Sequence, residues 1–467
     1  MQYNDLSQEI RRMLPGGVVS NWQYDASGRP VHHHVQGQQQ GKSLDFRRLN
    51  YDWDINDKLK KVTNLLTGAQ IEYTYDALSN LVRSENTKIR DILHRSPDNV
   101  GNLYETESRT DRIYGPGSRL EMSKVNTNEL KNQFQGGFGK LVTKGTEFKY
   151  DVEGNLTRKV EANGNVWQYE YYSNNMLAKV IRPDGTVIAF KYDPLGRRIE
   201  KQTSEMTKYF LWDGNNPLHE WEDGNSLRDL VTWVFNDGFV PTAKLTNGGN
   251  YSIVSDYLGT PVEAYDAEGV RVWSAELDIF GRVKEFTGEV DFVPFRYQGQ
   301  YADIEMGLYY NRFRYYDPES GQYTQQDPIG LAGNNPTLYA YVADTNLFID
   351  IFGLNPSCRI SGSKVSNASD LPIIRSGTRE WKEAIAALRR GGRGDIRVSS
   401  AREAKELLRE ARGNMNRYRN YSPKSYDKGY EVHNVLNARE LSAGNNLRHI
   451  KWRDWLSTNS GSGHIYY

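Results

Sequence analysis

The chain has 467 residues, with 59 Lys+Arg against 59 Asp+Glu. That length suits two or three domains. The balance hides a split: residues 355–467 carry 21 Lys+Arg and 11 Asp+Glu, leaving 38 and 48 in the remainder, so a basic module with its own anionic partner follows an acidic region. A single cysteine, Cys358, excludes intramolecular disulfides and cysteine-cluster zinc sites. No apolar stretch reaches the roughly 18 residues of a membrane helix. No apolar run follows the N-terminal charges as it would in a secretory signal, so any export is expected to need a dedicated machine.

From residue 20 to 290 a short theme recurs. It reads Tyr24-Asp25-Ala26-Ser27-Gly28, Tyr75-Asp76-Ala77-Leu78-Ser79, Tyr150-Asp151-Val152-Glu153-Gly154, Tyr192-Asp193-Pro194-Leu195-Gly196 and Tyr265-Asp266-Ala267-Glu268-Gly269, with a weaker copy at Tyr171-Tyr172-Ser173-Asn174. Several copies lie 21 to 27 residues apart, a repeat-protein period. An aromatic residue ends an alternating strand. Asp starts a tight turn through its side-chain acceptor, and Gly or Asn supplies a positive φ. Each unit is therefore a β-hairpin, and hairpins in series build a continuous sheet whose 31 tyrosines pair across strands.

Residues 86–136 are polar and fit the theme poorly, although Asp111 to Tyr114 reads as a strand. His32-His33-His34 makes a poor metal chelate, because neighbours on a strand point to opposite faces. It is expected to be an ordinary surface strand.

The next segment carries Gly307-Leu308-Tyr309-Tyr310-Asn311-Arg312-Phe313-Arg314-Tyr315-Tyr316-Asp317-Pro318 and Gln326-Asp327-Pro328-Ile329-Gly330-Leu331, and closes with Ile349-Asp350-Ile351-Phe352-Gly353-Leu354. These motifs are similar to the core-associated segment of Rhs proteins, and the preceding hairpins resemble YD repeats. The resemblance covers about residues 20 to 354. It implies the last portion of a β shell that encloses a variable C-terminal toxin; a PAAR-like tip domain is not recognised. The expected architecture is mainly β, a YD-repeat hairpin sheet forming part of a shell, followed by a small α+β toxin domain. The expected boundaries are 1–290 for the repeats, 291–354 for the core segment, 355–371 for a linker that includes Cys358, and 372–467 for the toxin.

The resemblance also implies that the core segment cuts the chain before the toxin. Matched residue by residue, the aspartates are Asp327 and Asp350, and the cut follows Leu354. Two carboxylates close enough to share a proton can serve as general base and general acid on an attacking water. The 22 intervening residues leave room for the two to meet. Ile351 stands where the family pattern has proline, so the turn loses a fixed φ. Read without the resemblance, Asp327 before Pro328 is a turn starter.

The tail reads as two helices and a sheet. Ser376 or Thr378 caps a helix through Glu383 and Leu388 that stops at Gly391-Gly392, and Asp395 to Val398 is a short strand. Ser400 and Glu403 form a capping box for a helix to about Arg412, with Ala404, Leu407, Leu408 and Ala411 on one face. Three strands follow, around Gly429–His433, Leu447–Trp452 and Gly463–Tyr467, and each carries one of the chain's eight histidines. Histidine titrates nearest neutral pH. Two of them plus a cation can cleave RNA without a metal or other cofactor. The candidates are His433 as base, His464 as acid and Lys451 as electrostatic partner, with His449 as alternative. Arg448, Arg453, Arg417 and Arg419 are candidate nucleic-acid contacts.

The tail also resembles the small C-terminal toxins that follow Rhs cores, several of which are nucleases of a two-helix, four-stranded RNase-like fold. The expected partners are an RNA substrate, a cognate immunity protein and a type VI-like secretion machine. The expected site of action is a target-cell cytoplasm, with a cytoplasmic producer form. The alternatives are an ADP-ribosyltransferase using Glu431 or Glu440, a metal-dependent DNase, or a non-enzymatic repeat and binding protein. Separation of the three histidines in space would favour the last.

Overall fold

The computed structural model describes the chain except residues 5–7, 40–41, 125–144, 224–228, 237, 334, 336, 359–372, 391, 416–427, 434–447 and 455–460. It divides into two compact units, 1–361 and 362–467. Among the described residues the first unit holds a nine-stranded sheet from Gln2–Tyr3 to Asp91–His94 and a sixteen-stranded sheet from Arg112–Tyr114 to Val283–Thr287. A four-stranded sheet follows from Tyr301–Asp303 to Gln322–Tyr323. In all three, strands pair antiparallel with their neighbours in sequence.

The repeated turn explains this regularity. At Asp193, the backbone N–H groups of Leu195 and Arg197 both donate to Oδ1 at 2.9 Å, and Gly196 takes φ 75°. Asp25, Asp76 and Asp266 bind the corresponding two amides in the same way. So do Asp54, Asp98, Asp256 and Asp278, whose turns do not follow a Tyr-Asp pair and escape the sequence theme. A register shift just before the aspartate, as at Lys191/Tyr192, lets the five-residue loop close. The repeat tyrosines then tie one hairpin to the next. The hydroxyls of Tyr75, Tyr171 and Tyr192 donate to the carbonyls of Leu59, Leu156 and Leu177 at 2.8–2.9 Å.

Alternation buries one face of the sixteen-stranded sheet. Phe148, Tyr169, Val180, Phe190, Phe210 and Trp233 form one cluster with Tyr301, Leu308, Tyr310 and Tyr315 of the four-stranded sheet. Each such side chain contributes roughly 1.5–3 kcal/mol of burial. Arg198 locks the two sheets together. It is 1% exposed, pairs with Asp303 at 2.5 Å and lies between the rings of Phe210 and Tyr310.

The histidine strand differs from expectation at its centre. His33 is fully buried, stacked on Trp22 with centroids 3.7 Å apart and hydrogen-bonded to Ser20 Oγ at 3.0 Å. It alternates inward, and burial holds its pKa well below the usual imidazole value. His32 and His34 bind Asn50 and Asp45 across the strand instead.

The second unit is a five-stranded sheet among the described residues. Its order is Ile373–Ile374, Gly392–Val398, Gly461–Tyr466, His449–Asp454, Lys428–His433. The first three neighbours run parallel and the remaining pairs antiparallel. Helices Arg379–Arg390 and Ala401–Arg412 bury Trp381, Leu388, Leu407 and Leu408 against Ile450, Trp452 and Ile465. Ser400 caps the second helix by accepting from the Glu403 N–H, while Glu403 reaches back to Ser399 rather than to the cap itself. The strand Ile373–Ile374 has no counterpart in the sequence reading.

Candidate functional site

Asp327 and Asp350 come together on one cation. Arg314, on strand Arg314–Asp317, sends Nη2 to Asp327 Oδ2 at 3.0 Å and to Asp350 Oδ2 at 3.4 Å. Arg314, Asp327 and Asp350 are 1%, 7% and 0% exposed. Arg314 Nε donates to the Gly353 carbonyl at 2.5 Å, so the same guanidinium also grips the backbone beside Leu354. Its face lies 3.6 Å from the centre of the Tyr323 ring.

Both aspartates are variants of the repeat turn. Asp327 Oδ1 accepts from the Ile329 N–H at 2.9 Å and Gly330 takes φ 61°, which is the turn-starting role read from the sequence. Asp350 Oδ1 accepts from the N–H groups of Leu354 and Asn355 at 2.9 and 3.1 Å, and Gly353 takes φ 67°. The turn therefore closes around Ile351 without a proline. In each case one carboxylate oxygen holds the backbone and the other faces Arg314. Burial pushes the Asp327 carboxyl up. The adjacent Arg314 opposes this rise, and the Asp350 charge adds to it.

The Leu354–Asn355 peptide is held at its nitrogen and packed at its carbonyl. Its nitrogen donates to Asp350. Its carbonyl oxygen and Asp327 Oδ2 both crowd Gly333, at 2.4 and 2.7 Å from where a Cβ would stand, so no larger residue fits there. The next residues pair back on the core: Ser357–Cys358 forms a strand with Phe348–Ile349, within the stretch expected to be linker.

In the second unit the register gathers the histidine strands. His433 stands opposite His449, His449 opposite Tyr466, and Lys451 opposite His464. Ile450, Trp452 and Ile465 are buried among the helices, so these positions belong to the other face of the sheet. There the His449 and His464 rings meet edge to face at 5.0 Å, and Tyr466 lies 5.3 and 5.7 Å from them. His449 is only 1% exposed, while His464, Lys451 and Arg453 are half-buried and Arg448 is exposed. Arg417, Arg419 and Glu440 lie outside the described residues.

The family model for the teneurin YD-shell matches residues 18–333. The chain belongs to the Rhs/YD-shell family. It is 30% identical over 369 residues to probable deoxyribonuclease RhsA of Dickeya dadantii, covering 74% of this chain and 25% of that protein. It is 27% identical over 413 residues to double-stranded DNA deaminase toxin A of Burkholderia cenocepacia, covering 80% and 27%. The crystal structure of TcdB2-TccC3-Cdc42 matches 76% of this chain and 19% of that one with TM-score 0.50 at 16% identity, a likeness of fold. The chain thus spans about a quarter of the length of the curated relatives it matches.

Within this YD-shell chain the sequence reading named the two aspartates but missed Arg314, Tyr323 and Asn311. Arg314 had a signal: it interrupts an aromatic strand whose residues are all buried, and a cation in such a place needs anionic partners. Tyr323 had none, being one tyrosine among 31.

Proposed function

We propose that this chain is the C-terminal part of an Rhs-type interbacterial toxin, that Asp327 and Asp350 cut it after Leu354, and that the basic unit released is a metal-independent ribonuclease. The observation that carries the first step is the Leu354–Asn355 peptide, hydrogen-bonded through its nitrogen to one aspartate and bordered at its carbonyl by the other. In this reading Asp327 supplies a proton to the Leu354 carbonyl oxygen. Asp350 takes a proton from water as the water oxygen bonds to the carbonyl carbon. The C–N bond then breaks, Asp350 passes its proton to the Asn355 nitrogen, and a hydroxyl proton of the intermediate returns to Asp327. The products are a Leu354 carboxyl and an Asn355 amine.

For the second step, the ladder that sets Lys451 beside His464 and His433 beside His449 supports the reading. His433 deprotonates the ribose 2′-hydroxyl, His464 protonates the leaving oxygen, and Lys451 stabilises the phosphate. The buried His449 keeps the His464 ring edge-on. Arg448, Arg453, Arg417 and Arg419 bind backbone phosphates. The two relatives named above are called a DNase and a DNA deaminase, so DNA is the target to test against. Delivery by a type VI-like machine, a cognate immunity protein and action in the target-cell cytoplasm follow from the family reading.

The test is induction of residues 355–467 in a bacterial cytoplasm, beside His433→Ala and His464→Ala. Growth arrest with fragmented RNA, insensitive to chelator in lysates and lost in either variant, is expected. Arrest with intact RNA would overturn the ribonuclease assignment.

A further inference from the structure

We infer that Tyr323 and Asn311 form a relay that stabilises the Asp350 carboxylate for self-cleavage. The inference rests on the autoproteolytic reading above and deepens it. Three contacts carry it. The Tyr323 hydroxyl donates to Asp350 Oδ2 at 2.9 Å. Asn311 Nδ2 donates to that same hydroxyl at 2.7 Å and to the Asp350 backbone carbonyl at 2.8 Å. The ring of Tyr323 lies against Arg314, which joins the two aspartates.

The direction of the relay is fixed. The amide of Asn311 can only donate through Nδ2, so the phenol oxygen accepts from it and must aim its own proton at Asp350. Burial and the Asp350 charge hold the phenol proton in place, pushing Tyr323 well above its usual value. Asp350 therefore receives the phenol on Oδ2 while the Leu354 and Asn355 amides occupy Oδ1. A hydrogen bond to the charged form favours that form. Tyr323 thus stabilises and orients the carboxylate that faces the water, while the Asn355 nitrogen waits beside its other oxygen. Tyr323 and Asn311 are positioning residues, since neither touches the carbonyl that reacts.

The experiment uses the full chain, made in a short cell-free pulse, moved to buffers between about pH 4.5 and 8.5, quenched in denaturant and scored for the fragment beginning at Asn355. Tyr323→Phe is expected to slow cleavage about tenfold near pH 5, and to move the acidic limb of the rate profile up by about one pH unit. Asn311→Ala is expected to move it the same way by less, which keeps the test open if Tyr323→Phe fails to fold. Slowing by one factor at every pH, with the limb unmoved, would mark a merely structural role and overturn the relay. Cleavage that persists in Asp350→Asn, or never occurs in the wild type, would instead sink the autoproteolytic reading on which the relay stands.

Discussion

The turn at Asp193 and the turn at Asp350 are built from the same parts, and only one of them sits at a candidate reaction site. Each has an aspartate whose Oδ1 accepts backbone N–H groups, the i+4 amide among them, a glycine with positive φ three residues on, and an arginine on Oδ2. At Asp193 that arginine is Arg197 from the same turn, half-exposed and four residues away. At Asp350 it is Arg314, from another strand, fully buried and shared with Asp327. The difference teaches that the candidate arrangement needs no new local motif. It needs a structural turn moved into the buried interior, where one cation must serve two carboxylates.

Breaking the second turn should cost far more than breaking the first. Asp327→Asn or Asp350→Asn is expected to reduce self-cleavage by at least about a hundredfold, the usual effect of removing a general acid or base. Asp193→Asn should leave the fragment pattern on a denaturing gel unchanged. A cut chain in both aspartate variants would erase the functional contrast between the turns.

The arginines sharpen the comparison energetically. Arg314→Ala leaves two buried carboxylates without their cation, and is expected to lower stability by about 3–5 kcal/mol in denaturant titrations. Arg197→Ala removes a partly exposed pair and should cost about 0–1 kcal/mol. Equal losses would show that the burial of Arg314 does not set its energetic role.

A third aspartate tests burial where cations, Lys58 and Arg95, only partly oppose the rise in pKa. Asp344 is fully buried, its Oδ1 accepts from Asn346, and burial raises its pKa to about 6. The folded value lies above that of the unfolded chain, so the folded state binds the extra proton between about pH 4 and 6. Stability contributed at low pH is therefore lost as pH rises through that window. Asp344→Asn should flatten this decline and add about 1–2 kcal/mol at pH 7, measured as a pH series of unfolding midpoints.

The smallest expected effect concerns the glycines. Gly185 has φ 84° with open space where a Cβ would go, so Gly185→Ala should cost only the backbone strain of about 1 kcal/mol. At Gly353 a Cβ would also meet the Asn311 carbonyl oxygen at 2.7 Å, so Gly353→Ala should cost more and slow cleavage. Matching thermal shifts in the two variants would count against a tightly packed cut site.

Much of the hairpin architecture was legible because each turn is local: an aspartate, its two acceptor contacts and a glycine all fall within five residues. Asp54, Asp98, Asp256 and Asp278 lack the preceding tyrosine and so fall outside the Tyr-Asp theme, although the aspartate and the positive-φ residue suffice for the turn. The helices of the second unit were equally readable, down to the Ser400 cap and the buried Leu407 and Leu408, because a 3.6-residue period needs no distant partner. The strand Ile373–Ile374 was not, since two residues carry no period and gain their place only by pairing with Gly392–Val398.

By itself the sequence determined the repeated turn, the change of composition near residue 355, the two aspartates as candidates and the presence of a histidine on each of three strands. Only the tertiary structure decided that His33 is inside, that Lys451 stands opposite His464, and that Arg314, Tyr323 and Asn311 converge on Asp350. Turn and helix signals come from bonds between near neighbours in the chain. The convergence around Asp350 joins positions up to 39 residues apart. It exists because burying a charge demands partners from wherever the packed sheets can bring them.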